Sequence, residues 1–371
     1  MTGQPDRHPM KSVKPLIRWL LQPGDIIRYG RARIGRRCSR RLKVGFGPIR
    51  TGRRTLSARH WHIDPVISQI NRTSDTYRCD AFLAPSRLRG YDLVVFTRFL
   101  HFFGLDLLDR LKEEGVVLIY RATDYHPVRD GGMTEHRAAL ERMDGILVSN
   151  PLQEEDYRDL PAAVKYVGSP VINSLFRTEY RRQERVTIIW QGYSVNLEPM
   201  LKLRPILERL AGDTGPGIRF LVHTNLPSRR DGIIHYRKWR LGNWQKVLAD
   251  ADIAVVIKPP GDDYQQKKPP SKVISYMAAG LPVVCTPSAS DRLVIDPGRT
   301  GFFAHSDEEW YAALRSLVED AGLRERIGRA GREHVLALHG IDSVADGYQH
   351  FFDDLRAGLR RSNPLSDGST P

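Results

Sequence analysis

The feature that most constrains this chain is an alternation that occurs twice: short apolar runs of strand length, each followed by an amphipathic stretch of helix length. The first series runs "LKVGFGP" (Leu42–Pro48), a polar basic stretch, "YDLVVFTR", "GLDLLDRLKEEG", "VVLIYRATD", "MTEHRAALERM", "GILVSN" and "AVKYVGSP". Its strands are continuous Val/Ile/Leu runs rather than apolar–polar alternations. Strands of that kind are buried on both faces, so helices must cover both sides of a parallel sheet. After the polar segment Arg177–Arg185 a second series opens with "VTIIWQG", a helix from about Asn196, "IRFLVHTN", a helix near "NWQKVLAD", "DIAVVIKPP", "KKPPSKVISYMAAG" and "LPVVCTP". The chain therefore reads as two α/β halves joined near residues 175–186. Pro205 in "LKLRPILERL" is expected to kink its helix. Two helices close the second half, "SDEEWYAALRSLVED", with Ser306 and Glu309 spaced as a capping box, and "GLRERIGRAGREHVLAL". The tail "RSNPLSDGSTP" has the composition of disorder.

At 371 residues the chain suits two domains of moderate size. The expected boundaries are a basic arm over 1–41, an N-terminal domain over 42–176, a C-terminal domain over 177–340, a helix over 341–360 that crosses back to the first domain, and a disordered tail over 361–371. No apolar run reaches the roughly 18 residues that a membrane helix requires. "PLIRWLLQPGDII" is interrupted by Arg18, Pro23 and Asp25 and has no small-residue cleavage site, so it does not read as a secretory signal. Cys38, Cys79 and Cys285 are scattered and form no CxxC pattern. This argues against a zinc site and a disulfide framework and leads us to expect no metal and a cytoplasmic location.

The formal net charge of +14 implies an anionic partner. Much of the excess lies early, from Arg28 to Lys43 and again from Arg50 to Arg59, behind the short apolar face of Leu16, Trp19, Leu20 and Leu21. Two readings stand side by side: a peripheral anchor for an anionic membrane surface, or a solvated basic arm. No DNA- or RNA-binding motif accompanies the charge, so no nucleic-acid partner is expected.

The helix that follows "KKPPS" raises the sharpest chemical question. Pro269 and Pro270 block an earlier start, and Ser271 reads as the N-cap, which puts Lys272 in the first turn. Cations oppose the dipole at a helix N-terminus by roughly 0.3–1 kcal/mol each, yet Lys267, Lys268 and Lys272 gather there. A bound anion would reverse that cost, because unpaired N–H groups already point outward. The alternative is that flexible lysines point into water. In open α/β sheets ligands lie beyond the carboxyl ends of the strands, and the loop Gly261–Pro270 follows such an end. The other half of a site could be "IIWQGYSVNLEP", where Gly192 follows a strand.

The segment from Asp252 to about Val335 resembles the donor-binding domain of glycosyltransferase family 4, most specifically through "SKVISYMAAGLPVV", "GRTGFFA" followed by "EEW", and "LRERIGRAGREHV". "WQGYSVNLEPMLKLRPIL" is similar to the first strand–loop–helix of that domain. "GYDLVVF", "YRATDYHP" and "MDGILVSNP" resemble the acceptor domain more loosely. The resemblance implies a GT-B fold, two Rossmann-like domains facing each other across a cleft, and a retaining transfer from a nucleotide-diphosphate sugar to a glycan or lipid-linked acceptor without a metal. It carries donor contacts over to Gly192, Tyr193, Ser194, Lys268, Ser271, Lys272 and Ser275, and acceptor-domain positions over to Gly47, Asp124 and His126. Asp124 reads equally as a turn or capping aspartate, and His126 as a solvated loop histidine. Three positions depart from the family pattern: the usual glutamates are Lys267 and Ser275, and a further acidic position is Leu293. These departures open a second reading, a catalytically silent member that binds nucleotide or acts as a scaffold in a glycan-assembly complex.

Overall fold

The computed structural model describes residues 40–48, 50–51, 54–55, 63–83, 88, 90–97, 103–122, 134–171, 185–214, 217–240, 244–258, 261 and 263–362. The basic arm up to residue 39, the tail from residue 363, Cys38, Asp124 and His126 lie outside the described residues.

The first half is a six-stranded sheet built from β1 (Leu42–Gly47), β4 (Tyr77–Ala81), β5 (Leu93–Thr97), β6 (Val117–Ala122), β7 (Gly145–Val148) and β8 (Ala163–Tyr166), with a two-stranded ribbon of β2 (Arg50–Thr51) and β3 (Arg54–Thr55) beside it. The order is β4-β1-β5-β6-β7-β8, and every pair is parallel. The strands β5, β6 and β7 are buried at every position, as continuous apolar runs require. One face of the sheet packs Val94, Phe96, Leu118, Tyr120 and Ile146 against α2 (Leu105–Glu113) and α3 (Thr134–Leu140). The other face packs Val44, Phe46 and Ile119 against α1 (Asp64–Thr73) and the last helix of the chain.

The second half holds β9 (Arg185–Gln191), α4 (Leu197–Leu201), α5 (Arg204–Asp213), β10 (Gly217–Thr224), β11 (Arg229–Asp231), β12 (Ile234–Lys238), α6 (Trp244–Ala249), β13 (Ile253–Val256), α7 (Asp263–Lys267), α8 (Ser271–Ala278), β14 (Val283–Cys285) and β15 (Phe302–Phe303). The sheet order is β11-β12-β10-β9-β13-β14-β15, parallel except at the β11/β12 edge. Counted from β9, the strands proceed outward through β10 and β12, then restart on the other side with β13. That reversal makes the crevice between the ends of β9 and β13 the topological switch point, where doubly wound sheets bind ligands. Pro205 does not kink a continuous helix. The chain turns at Lys202–Leu203 and Pro205 sits in the first turn of a new one, α5, where its missing N–H costs nothing.

Ser306 and Glu309 do form the capping box at the start of α9 (Asp307–Glu319). The helix α10 (Ala321–His339) then leads at Gly340 into α11 (Ile341–Ser362). α11 leaves its own half and buries Val344, Ala345, Tyr348, Phe351, Phe352 and Leu355 in the core of the first sheet. Phe352 meets Tyr77 edge to face at 5.3 Å between ring centroids. Val171, the last described residue of the first half, bridges to Gly340, where the chain returns, with the Val171 N–H donating to the His339 carbonyl at 2.8 Å. Arg121, buried at the end of β6, fixes this junction by donating to the carbonyls of Val148 (2.8 Å) and Gly168 (3.1 Å).

Candidate functional site

The end of β9 is set by alternation. Val186, Ile188 and Trp190 face one core and Ile189 the other, which delivers Gln191 and Gly192 to the switch point. The Gln191 N–H donates to the Tyr276 hydroxyl of α8 (2.7 Å), the Gly192 N–H to the His223 carbonyl of β10 (3.1 Å), and the Ser194 N–H to Asn225 Oδ1 (2.7 Å). The loop is therefore tied to two neighbouring elements. A Cβ on Gly192 would fall 2.6 Å from the Trp190 ring and 3.1 Å from Lys272 Nζ; only glycine lets the three groups share that space. Beyond it Tyr193 and Val195 are exposed on the rim.

The structure corrects the expected start of α8. Pro270, not Ser271, is the N-cap, because its carbonyl accepts the Ile274 N–H at 3.0 Å and a proline has no N–H to lose there. Ser271, Lys272 and Val273 are the first three helical residues. Their N–H groups have no acceptor within the helix and point toward the crevice end. The Ser275 hydroxyl donates back to the Ser271 carbonyl at 2.7 Å, which leaves its oxygen able to accept.

Lys272 turns its ammonium over the Trp190 indole, 5.1 Å from the ring centroid. The residue is exposed on the crevice side, so its charge is wet on one face and crowded by protein on the other. That crowding, with the like charges of Lys268 and Lys258, lowers its pKa to about 8. An anion placed in the crevice would relieve both effects, since a nearby opposite charge favours the charged form.

The three lysines do not converge as a group. Lys267 closes α7, a short helix in what the sequence presents as loop, and turns away from α8 to Asp156 of the other domain, 2.7 Å distant, and to Asp263 at 3.1 Å. The place expected for it is taken by Lys258, which leaves the end of β13. Lys258 Nζ binds Asp291 Oδ2 at 2.6 Å and donates to Ser288 Oγ at 2.9 Å. Asp291 is fully buried, and Ser288 also donates to it at 2.6 Å. The same loop stitches the approach to α8: Ser290 donates through Oγ to the Lys268 carbonyl (2.7 Å) and through N–H to the Gln266 carbonyl (3.0 Å). Sequence reasoning missed Lys258, Ser288, Ser290 and Asp291. The available signal was their position at the carboxyl ends of two adjacent parallel strands.

On the opposite domain Gly47 is buried at the end of β1, and a Cβ there would lie 2.6 Å from the Phe82 carbonyl oxygen. Its position is thus explained by packing against Phe82, the residue that follows β4. Leu293, the third departure, is about half exposed. Among the described residues no three His, Cys, Asp or Glu side chains gather as a metal site would need, and no helix is long and apolar enough to cross a membrane. An open cavity of about 580 Å³ lies elsewhere, lined by Lys112, Asp144, Lys165, Phe351 and Leu359. It flanks the amino-terminal end of β7, away from the strand ends that form the crevice.

What the crevice can do chemically follows from these parts. It offers one cation poised between protonation states, a second at Lys268, a third held by Asp291, unpaired helix N–H groups and a close-approach glycine. This is the equipment for holding a compact dianion such as a diphosphate.

A family model described as glycosyl transferase-like matches residues 201–349. No curated protein matches the sequence. Among solved structures, sucrose-phosphate synthase from Thermosynechococcus elongatus is 13% identical with a TM-score of 0.61, over 86% of this chain and 100% of that one. Anabaena HepE, solved in complex with UDP, is 12% identical with a TM-score of 0.56, over 85% and 100%. S. aureus TarM is 14% identical with a TM-score of 0.54 over 70% of this chain, which spans about half (54%) of TarM. These likenesses show the fold, the GT-B arrangement of two α/β domains.

Proposed function

We propose that this protein is a glycosyltransferase that moves a sugar from a nucleotide-diphosphate donor to a glycan or lipid-linked acceptor. The observation that carries the reading is the Lys272 ammonium, held over Trp190 beside Gly192 at the start of α8, at the switch point of the C-terminal sheet. The family match over 201–349 and the GT-B fold agree with it, and HepE, solved with UDP and with UDP-glucose, makes UDP the first nucleotide to test.

In this reading the diphosphate lies across the N-terminus of α8. Lys272 and Lys268 neutralise the charge that grows on it as the sugar departs, and the helix N–H groups add fixed dipoles. The transfer is retaining: the acceptor oxygen forms its bond to the anomeric carbon on the face from which the diphosphate leaves, and the acceptor hydroxyl's proton passes to the departing diphosphate or to solvent. Ser275 stands where a ribose hydroxyl would reach, and its oxygen supplies an acceptor without charge. Asp124 and His126 take the catalytic roles on the acceptor side, and Gly192, Tyr193, Ser194 and Ser271 would line the donor side. The basic arm directs the enzyme to an anionic membrane surface on the cytoplasmic side, in surface polysaccharide or glycolipid assembly; co-sedimentation with anionic vesicles that is unchanged by removing residues 1–41 would sink this part.

The deciding experiment is a thermal-stability panel with UDP, GDP, ADP, CMP and their sugar conjugates on the wild type and Lys272→Ala. A ligand at about 100 times its dissociation constant adds about 2.7 kcal/mol. Stabilisation by one diphosphate that the variant loses supports the reading; no response to any of them rejects it. A second reading, a catalytically silent scaffold, is favoured by one observation: Lys267 stands where the family places a glutamate, and its ammonium is engaged with Asp156. Donor hydrolysis or transfer detected in the wild type and absent in Lys272→Ala excludes it.

A further inference from the structure

We propose that Lys267, with Asn150, Gln153 and Asp156, is an interdomain clamp that positions the anion site of the C-terminal domain against the N-terminal domain. This rests on the reading of that site as a diphosphate site.

Lys267 reaches the other domain in two independent ways. Its ammonium pairs with Asp156 Oδ1 at 2.7 Å, and its carbonyl accepts from Asn150 Nδ2 at 3.0 Å and Gln153 Nε2 at 3.4 Å. All three partners are buried and come from one short segment, the end of β7 and the 3₁₀ turn Pro151–Tyr157. Asn150 and Gln153 are held by bonds within their own domain. Asn150 caps the turn, its Oδ1 accepting the Leu152 N–H at 3.0 Å, and Gln153 Oε1 accepts the Ser149 N–H at 3.3 Å. Asp156 Oδ2 is buried with no hydrogen-bond partner, so the charge of that carboxylate is balanced through its other oxygen by Lys267. Burial, the largest influence on the Lys267 ammonium, pulls its pKa down, but the hydrogen bonds to Asp156 and Asp263 outweigh it and the pKa is raised.

The next residue in the chain belongs to the other side of the device. The Lys268 carbonyl is held by Ser290 of its own domain, and the stiff Pro269–Pro270 pair connects it to the first turn of α8. Two successive peptide units therefore carry attachments to opposite domains, and α8 begins only a few residues later. A relative movement of the domains must either break the Lys267 contacts or drag the start of α8, with Lys272, out of register with Gly192 and Trp190. Lys267 is thus a positioning residue. Its ammonium is engaged with the carboxylates of Asp156 and Asp263 rather than with the ligand, and it decides whether the groups that hold the ligand are in place.

The test compares wild type, Lys267→Met, and the neutral pair Lys267→Met/Asp156→Leu, all in the full chain with Cys38→Ser and spin labels at Arg158→Cys and Lys202→Cys. Pulsed electron resonance reads the interdomain distance, and calorimetry reads binding of UDP and of inorganic pyrophosphate. We expect one narrow distance in the wild type, a broadened distribution in both variants, and at least tenfold weaker binding in both. Lys267→Met leaves a buried carboxylate unbalanced and can lose melting temperature for that reason alone; the neutral pair removes the charge and is expected to recover it while binding stays weak. A neutral pair with wild-type distances and wild-type affinity would falsify the clamp and leave Lys267 a stability contact only. If the wild type binds neither probe, the diphosphate reading fails by itself, and the distance distributions still decide whether the clamp exists.

Discussion

The Lys272 ammonium stands 5.1 Å from the centroid of the Trp190 indole, and this pairing joins the central strand of the C-terminal sheet to the helix that opens beside it. A cation over an aromatic face is worth ~0.5–1 kcal/mol at an exposed site, too little to define a binding site. Its value is orientational: it holds a long, rotamer-rich side chain over Gly192. Lys272→Ala is expected to weaken UDP or pyrophosphate binding by at least tenfold with a change in melting temperature of only a few degrees, measured by calorimetry and by thermal unfolding without ligand.

The pH dependence of binding has a definite sign. Lys272 is lowered from the ordinary lysine value of 10.5 to about 8, so the unliganded protein loses this proton as the pH rises through about 8. Diphosphate affinity should be level between about pH 6.5 and 7.5 and fall by up to tenfold per unit above pH 8. In Lys272→Ala the decline above pH 8 should vanish. For folding the sign is opposite: the unfolded chain keeps the proton up to about 10.5 while the folded chain releases it near 8, so this group makes stability rise between those values.

Gly192→Ala tests the close approach. A methyl placed 2.6 Å from the Trp190 ring must push a buried indole or shift the loop, which costs ~1–3 kcal/mol. The same methyl displaces Lys272 Nζ, so loss of diphosphate binding should accompany the loss of stability.

Lys258 and Asp291 form the buried base of the site. Asp291 is fully buried and Lys258 is partly buried, its side chain 16% exposed. Removing one partner strands a charge, and Lys258→Met should destabilise the protein by ~3–5 kcal/mol in urea unfolding. The double variant Lys258→Met/Asp291→Leu should recover most of that. A single variant as stable as the wild type would show that water reaches the pair.

Phe352 lies in α11 at the end of the chain, yet packs on Tyr77 and Phe46 of the first sheet. Phe352→Ala should cost ~3–5 kcal/mol, and hydrogen exchange should locate the damage in β1, β4 and α1 rather than in α9 and α10.

Much of this was legible from local pattern. Continuous apolar runs such as Leu93–Phe96 and Ile253–Val256, short and bounded by turn residues, read as strands buried on two faces, and their alternation with helical stretches implies parallel sheets, so the two α/β halves follow from period and order, while the GT-B arrangement was implied by the family resemblance. The place of the ligand follows as well, because a restart of the sheet at β13 makes a crevice whatever the side chains are. Partnerships across the chain were not legible. Lys267 and Asp156 are 111 positions apart, and nothing in "QQKKPP" distinguishes a lysine that turns to another domain from one that faces an anion. Lys258 and Asp291 look like separate loop charges until β13 and β14 pair. The helix start was misread by one residue for a smaller reason: Ser271 has the right chemistry for a cap, but the backbone of Pro270 reaches the position first.

The return of α11 to the first sheet has a consequence for how the protein comes into being. During synthesis the N-terminal sheet emerges early, with Val44, Phe46 and Tyr77 lacking the helix that covers them. That face stays open until Tyr348, Phe351 and Phe352 leave the ribosome, after the entire second sheet has been made. The first domain is thus completed last, and a chain cut anywhere in the link between the halves would yield an N-terminal fragment with half its core exposed. The two halves can be drawn as separate domains, but they are not separable pieces of chain, and any attempt to express the first alone must supply residues 341–362 with it.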